Sequence, residues 1–274
     1  GMASDLEIIC VGNELLIGKT LNTNAQWMAK QATELGAAVR RITVVSDDVN
    51  EIANAVSEAL KRKPRFIITT GGLGPTFDDK TLEGIAKALR RKLEVNKRAL
   101  QMVRAKYEAY ARETGSAKVE LTPPRIKMAT LPRKAQPIPN PVGTAPAVLI
   151  NLKVTTLLAL PGVPSEMEAI FRQTAEPLLK QAAGKSVFYE KSIYVEGVME
   201  SNLAPLIDKV MRDNAGVYVK SHPKGRESMP HIELHFSIAA DEVEKAGERL
   251  QRAISQLSGE LAKIGGKVSV GELS

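Results

Sequence analysis

Phe66-Ile67-Ile68-Thr69-Thr70-Gly71-Gly72-Leu73-Gly74-Pro75-Thr76-Phe77-Asp78-Asp79-Lys80-Thr81 is the stretch on which the fold turns. Phe66 to Thr70 is a short apolar run bounded by turn formers, which predicts a buried strand. Leu82 to Leu89 carries apolar residues at helical spacing. The glycines therefore stand between a strand and a helix. In an open parallel sheet, ligands bind beside the carboxyl ends of the strands. Glycine lets the backbone turn sharply and approach a bound group, and a following helix start offers unpaired N–H groups to a phosphate. Asp78 and Asp79 would repel a bare phosphate but suit a divalent cation that bridges to it. Together these features predict a site for a phosphorylated ligand with Mg²⁺ or a similar ion. The same acids also suit a simpler role as caps or dipole partners of the helix.

Upstream, Leu6 to Val11 predicts a central strand, followed by the turn Gly12 to Gly18, which carries one acid, Glu14. Asn22-Thr23-Asn24 offers capping side chains to a helix from Ala25 to Leu35, and Gly36 ends it. Val39 to Val45 reads as a second strand. Asp47-Asp48 precedes a helix from Val49 to Lys61, with Ile52, Val56 and Leu60 on one face, and Pro64 breaks it. The order is βαβαβ with right-handed crossovers, half of a doubly wound sheet. Gly12-Asn13-Glu14 is not the dinucleotide fingerprint, and no P-loop motif is present, so neither a nicotinamide-binding domain nor a P-loop NTPase is expected.

Downstream, a longer helix is expected from Glu94 to Glu113. Between Asp79 and Glu113 stand ten Lys or Arg against five Asp or Glu, which reads as a solvated basic face. Ser116 to Val142 is proline-rich, with a short strand expected at Arg125 to Ala129. Asn140 to Pro146 is a second turn-rich loop. Ala147 to Ile150 and Thr155 to Leu160 form a strand pair. Pro161 to Pro164 then leads into a helix from Ser165 and Glu166 through Gln181, a second candidate wall for the same cleft. Gly184-Lys185-Ser186 marks an expected boundary between domains 1–184 and 185–274. Beyond it come a strand from Val187 to Val195, a helix from Ser201 to Met211, strands Gly216 to Lys220 and Ile232 to Ile238, a helix from Asp241 to Leu257 and an edge strand at Lys267 to Val270. Ile232 to Ile238 alternates apolar and polar residues, so one face of that sheet is buried and one is wet.

The composition narrows the function. The chain has 274 residues, 43% hydrophobic and 25% charged, enough for one large core or two domains. No apolar stretch has membrane-spanning length and no signal peptide is seen, so a cytoplasmic protein is expected. The single cysteine, Cys10, excludes an intrachain disulfide and reads as core filler. The net charge of +7 favours anionic partners. Few aromatic residues are present to stack single-stranded nucleic acid. His222, His231 and His235 all fall in the second domain, where a structural role outweighs metal binding. Chemistry in the first domain must then use carboxylates, metal and main chain. Glu14, Asp47, Asp48, Asp78 and Asp79 all sit near predicted strand ends, along one edge of the sheet, and are expected to gather there.

Four separated motifs resemble one family: Gly12-Asn13-Glu14-Leu15-Leu16-Ile17-Gly18 with Asn22-Thr23-Asn24; Thr70-Gly71-Gly72-Leu73-Gly74-Pro75-Thr76 with Asp78-Asp79-Lys80-Thr81; Asn140-Pro141-Val142-Gly143-Thr144-Ala145-Pro146; and Leu160-Pro161-Gly162-Val163-Pro164-Ser165-Glu166-Met167. The chain resembles the CinA family, whose molybdopterin-binding-like domain is related to MoaB and MogA. The region after Ser186 resembles the KH-like second module of those proteins. The resemblance implies an α/β fold, a three-layer, mostly parallel sheet, with a second, smaller α+β KH-like domain, and frequent self-association into a homo-oligomer. It implies metal-dependent cleavage of the pyrophosphate of ADP-ribose, or of FAD in related domains, with Mg²⁺, Mn²⁺ or Co²⁺.

By the resemblance, Asp78 and Asp79 hold the metal, and Gly71, Gly72, Gly74 and Thr76 line the phosphate site. Asn13 and Glu14 approach it, with Glu14 counted among the catalytic acids. Gly143, Thr144, Pro161, Gly162 and Pro164 shape the ligand pocket, and Lys80 neutralises phosphate charge or faces solvent. Relatives also bind molybdopterin or transfer an adenylyl group to it, so a phosphorylated nucleotide or pterin is the expected partner. Full-length CinA proteins carry a further domain that deamidates nicotinamide mononucleotide. No such region follows here, and that activity is not expected. The family's Gly-Thr-Ala-Pro-Gly reads Gly143-Thr144-Ala145-Pro146-Ala147, which requires either ordinary backbone at Ala147 or an altered pocket. An RNA-associated protein is the non-enzymatic alternative, but residues 196 to 225 contain no G-x-x-G loop to clamp an RNA backbone.

Overall fold

The computed structural model describes residues 4–115, 118–184, 187–225, 231–240 and 243–270. The chain divides into two compact units, Gly1–Thr33 with Ala37–Ala182, and Glu34–Gly36 with Ala183–Ser274.

The first unit runs β1 (Asp5–Val11), α1 (Asn13–Leu16), α2 (Thr23–Glu34), β2 (Ala38–Val45), α3 (Val49–Lys61), β3 (Phe66–Thr70), α4 (Thr81–Leu89), β4 (Leu93–Val95), α5 (Lys97–Thr114), α6 (Pro123–Lys127), β5 (Thr130–Pro132), β6 (Gln136–Ile138), β7 (Ala147–Asn151), β8 (Thr156–Leu160), α7 (Pro164–Ile170), a π-helical turn (Phe171–Ala175) and α8 (Glu176–Ala183). Six strands form one sheet in the order β2-β1-β3-β8-β7-β6. β2, β1, β3 and β8 are mutually parallel, and β7 and β6 are antiparallel.

Every residue of β1, β3 and β8 is buried, as expected of central strands covered on both faces. Ile9, Val11, Ile67, Leu157 and Ala159 join a core completed by Ile52 and Val56 of α3, Ile85 of α4 and Val103 of α5. Their neighbours Ile8, Cys10, Phe66, Ile68, Leu158 and Leu160 are buried on the other face. Trp27 of α2 meets Phe171 edge to face at 5.3 Å. Gly84 lets α3 and α4 close up, since a Cβ there would lie 2.4 Å from Ile52 Cγ2.

Two acids on β1 are buried, and both are paired. Asp5 accepts from Arg40 Nε at 3.1 Å. Glu7 takes a two-pronged contact from Arg62, Nε to Oε2 at 2.9 Å and Nη2 to Oε1 at 2.7 Å. The Glu7 carboxylate in turn raises the Arg62 pKa above its ordinary value.

Three local expectations need correction, and one open alternative is decided. Arg125 to Lys127 lie in α6, not in a strand: Pro123 and Pro124 occupy the first helical positions, where a missing N–H costs nothing. The strand comes later, at Thr130–Pro132, paired with Leu93–Val95. Glu94 is therefore in β4, and α5 starts only after Asn96, whose side chain accepts from Ala99 N at 2.9 Å. The helix expected through Gln181 is interrupted by a π turn just before Pro177, which cannot donate to the Gln173 carbonyl. Ala147 opens β7 and is not among the described residues with positive φ, so the loss of the family glycine has no backbone cost there.

The second unit holds β9 (Val187–Glu196), α9 (Glu200–Asp213), β10 (Val217–Lys224), β11 (His231–Ala240), α10 (Val243–Lys263) and β12 (Lys267–Ser269), an antiparallel sheet in the order β10-β11-β9-β12. Ile232, Leu234, Phe236 and Ile238 are buried with Leu203 and Val210 of α9 and Leu250 and Leu257 of α10. His231, Glu233, His235 and Ser237 occupy the alternate positions. α10 runs beyond the expected end at Leu257, and its expected start at Asp241 lies outside the described residues. Among the described residues no helix is long and apolar enough to cross a membrane.

Candidate functional site

The carboxyl ends of β1, β3 and β8 open into a cleft of about 520 Å³. Its lining includes Gly71 to Thr76, Asp78, Asp79, Glu14, Asp47, Met128, Gly143 to Ala145, Pro161 to Val163 and Glu166. The glycine loop is pinned from several sides. Gly71 N–H donates to the Leu160 carbonyl at 3.0 Å, and the Thr81 hydroxyl donates to the Gly71 carbonyl at 2.7 Å. Gly71 has φ +99°, and a Cβ on it would sit 2.3 Å from the Val11 carbonyl oxygen. Gly72 has φ +73°, with the Thr81 hydroxyl 2.0 Å from where its Cβ would be. Both positions require glycine on two counts, backbone conformation and space. The Thr81 N–H is already taken by the Gly72 carbonyl at 3.2 Å, so the helix start offers a ligand one donor fewer than expected.

Asp78 and Asp79 do not cap α4, whose N-cap is Lys80 without a side-chain bond. They turn to Thr76 instead. The Thr76 hydroxyl lies 2.5 Å from Asp78 Oδ1 and 2.6 Å from Asp79 Oδ2, and Thr76 N–H donates to the same Asp79 oxygen at 2.9 Å. A hydroxyl has one proton, so it satisfies one of these oxygens and leaves the other close approach unrelieved. Asp78 is exposed, and its pKa lies below the ordinary carboxylate value. The Thr76 hydroxyl is the main cause, followed by a backbone hydrogen bond, with a smaller pull from the charges of Lys127 and Lys80. Lys127 also donates from Nζ to the Asp79 carbonyl, tying α6 to the loop.

Four of the five acids, Glu14, Asp47, Asp78 and Asp79, line the one cleft as expected, and Asp48 is not among its lining. Among the described residues no three His, Cys, Asp or Glu are placed to hold a metal together. Asp48 caps α3, accepting from Glu51 N–H at 3.0 Å. Asp47 is exchanged with Asn13: Asn13 N–H donates to Asp47 Oδ2 at 3.0 Å and Asp47 N–H to Asn13 Oδ1 at 3.1 Å. Glu14 lines the cleft, folded back over Gly12. Two carboxylates and a hydroxyl fit the way Mg²⁺ is commonly held, by one or two acids with the substrate's own phosphates, and do not make an all-protein cage.

Of the residues expected to bind ligand, Gly71, Gly72, Gly74, Thr76, Gly143, Thr144, Pro161 and Gly162 line the cleft. Asn13, Lys80 and Pro164 do not. Asn13 is spent on Asp47, the Lys80 ammonium sits over the Phe77 ring at 4.8 Å, and Pro164 fills the first position of α7.

Sequence reasoning overlooked four side chains. Asn24 donates to Thr70 Oγ1 at 3.2 Å and to the Gly162 carbonyl at 2.9 Å, joining two loops. Asn140 donates to the Ala145 carbonyl at 2.9 Å and to Glu166 Oε1 at 2.7 Å. By sequence Glu166 opens a helix within the Leu160 to Met167 motif, and Lys127 falls in the strand expected at Arg125 to Ala129. Asn24 and Asn140 stand in the motifs Asn22-Thr23-Asn24 and Asn140 to Pro146, which was the signal that pointed to them.

In the second unit, His235 Nε2 lies 3.9 Å from Glu190 and His231 packs against the Tyr194 ring, with no metal-binding grouping among the described residues.

Residues 7–181 match the family described as "Probable molybdopterin binding domain". A protein of Caldivirga maquilingensis is 48% identical over 252 residues, covering 91% of this chain and 94% of that protein. One of Sulfurisphaera tokodaii is 43% identical over 263 residues, covering 96% and 97%. Among solved structures, the protein CinA with unknown function from Thermoplasma acidophilum is 41% identical, with a TM-score of 0.58, covering 64% of this chain and 98% of that one.

Proposed function

The chain belongs to the family of molybdopterin-binding domains, and from that premise we propose that its cleft binds a phosphorylated small molecule, a pterin or a nucleotide. The convergence of Asp78 and Asp79 on Thr76, beside glycine backbone at a strand's carboxyl end, carries this reading. Asp78 and Asp79 would hold Mg²⁺, Mn²⁺ or Co²⁺ against the ligand's phosphate. Such an ion would polarise a phosphoryl oxygen and lower the pKa of a bound water. Backbone N–H groups of the glycine loop would face the phosphate oxygens, and Lys127 would hold the Asp79 segment in place.

A second reading adds chemistry to binding: hydrolysis of a dinucleotide-like pyrophosphate such as ADP-ribose. Water adds to one phosphorus, the bridging P–O bond breaks, and AMP and ribose 5-phosphate result. The observation in favour is Asp78, exposed and held ionised next to a second acid. Adenylyl transfer to a pterin would use the same groups. We also propose self-association, which light scattering on the intact chain checks.

The test is a product assay on ADP-ribose, FAD and ATP, each with Mg²⁺, Mn²⁺ or Co²⁺, alongside equilibrium binding of the same compounds. AMP released from ADP-ribose by the native chain and lost in Asp78→Asn supports hydrolysis. Binding without turnover removes hydrolysis and leaves the binding reading. Absence of binding to any phosphate with any metal removes both.

A further inference from the structure

The β-α-β-β-α-β succession of the second unit puts β9 and β11 at the centre of its sheet and packs α9 and α10 against one face. Strand register decides what stands on the other face. Phe188 and Tyr194 of β9, Tyr218 and His222 of β10, and His231 and His235 of β11 all belong to it. Six rings therefore share one sheet face in a chain with few aromatic residues, and they include every histidine it has.

Sheet stability accounts for little of this. Cross-strand ring pairs steady a sheet, yet among the described residues only Tyr194 and His231 form one here, with centroids 5.9 Å apart. Phe188 lies opposite Ala239, Tyr218 opposite Ser237, His222 opposite Glu233, and His235 between Lys220 and Ser192. Tyr218 is 56% exposed and His222 is exposed, so neither fills a core. Flat rings without a ring neighbour on a wet face are surfaces on which bases stack. The edge strand beside them, β10, carries Lys220 and Lys224 and no acid. Of the acids on the face, Glu233 is already answered by Lys224 at 3.1 Å and by the Ser192 hydroxyl at 2.7 Å. Glu190 and Glu196 can accept from the amino groups of bases.

We propose that this face binds single-stranded RNA, with bases stacked on its rings and phosphates along β10. Four-stranded sheets that stack two or three bases on aromatic side chains work in this way, and the mode needs no G-x-x-G loop. The histidines favour RNA over DNA: a neutral imidazole both donates and accepts, which matches a 2′-hydroxyl that deoxyribose lacks. The proposal is independent of the phosphate reading of the cleft.

Fluorescence anisotropy of the intact chain with a short labelled single-stranded RNA tests it, with DNA of the same sequence alongside. Tyr218→Ala is expected to weaken RNA binding about ten-fold, the scale of one stacked base. Tyr218→Phe keeps the ring and should keep the affinity. Lys220→Gln should weaken binding and lower the slope of log affinity against log salt by about 0.7, the share of one phosphate contact on a single strand. Arg98→Gln, which removes the same charge from an exposed position on α5 of the first unit, should change neither. Failure to bind RNA, or DNA bound as tightly as RNA, overturns the proposal. So does equal weakening by Arg98→Gln and Lys220→Gln, which reduces the binding to net charge. Stacking is refuted if Tyr218→Ala binds as the parent does, or if Tyr218→Phe loses as much as Tyr218→Ala. His235→Ala, on the neighbouring strand, gives the same comparison if Tyr218→Ala does not fold, with a similar loss expected and unchanged affinity counting against the proposal.

Discussion

Gly72→Ala puts the glycine loop to a quantitative test. At φ +73° a non-glycine residue costs about 1–2 kcal/mol. The new methyl would also sit 2.0 Å from the Thr81 hydroxyl. Thr81 is fully buried, and its hydroxyl satisfies the Gly71 carbonyl. Forcing that hydroxyl aside breaks a buried bond, worth about 1–3 kcal/mol when a partner is left unsatisfied. Taken together, the loss is about 3 kcal/mol. For a unit of this size that lowers the melting temperature by roughly 6–12 °C. Gly74→Ala is the matched control. Gly74 has no positive φ, and its Cβ would meet only the end of the Asp79 side chain, 2.6 Å away at Oδ2. It should keep nearly all the stability and weaken metal-dependent binding by displacing that carboxylate. Calorimetric melts and urea titrations of both variants, followed through the first unit's transition, give the comparison. A Gly72→Ala protein within about 1 kcal/mol of the parent would show that the loop relaxes freely and that the two constraints argued here do not act.

Other consequences follow from single contacts. Arg62→Met strands the buried Glu7 carboxylate, leaving among the described residues only Arg41 at 3.9 Å, and should cost about 3 kcal/mol in urea unfolding, mostly recovered by adding Glu7→Gln. Thr76→Val removes the main cause of the depressed Asp78 pKa, so a carboxyl NMR titration should find that pKa raised toward the ordinary value. Because a depressed folded-state pKa keeps Asp78 ionised as pH falls through the ordinary carboxylate range, metal-dependent binding should persist there in the parent and fail at higher pH in the variant; identical acid limbs would remove Thr76 from this role. Cys10 is fully buried and its thiol pKa is raised by desolvation, so a thiol reagent near neutral pH should label it only as fast as the first unit opens, with immediate stoichiometric labelling as the contrary result.

Periodicity alone was enough to locate the buried strands of the first unit and their helices. Ile8, Ile67 and Leu158 could go nowhere but a covered parallel sheet, because a run apolar on both faces has no wet side. The glycine loop was equally legible, since φ near +73° and +99° is cheap only for glycine. Alternation along Ile232 to Ile238 likewise announced a half-covered antiparallel sheet. What failed locally failed where neighbours decide: Glu94 reads as helical until β5 pairs with it, and Arg125 reads as extended until two prolines seed a helix turn. The site divides in the same way. Residue type and spacing identified Asp78, Asp79 and the loop glycines. Sequence had no means to show that Asp47 turns to Asn13, that Asp48 caps a helix, or that both loop acids share the Thr76 hydroxyl. Nor could it bring Asn140 to Glu166, 26 residues apart, or Asn24 to Gly162, 138 apart. Local propensity is written within a few residues of chain, whereas a hydrogen bond between distant loops exists only once the sheet has set the strand ends side by side.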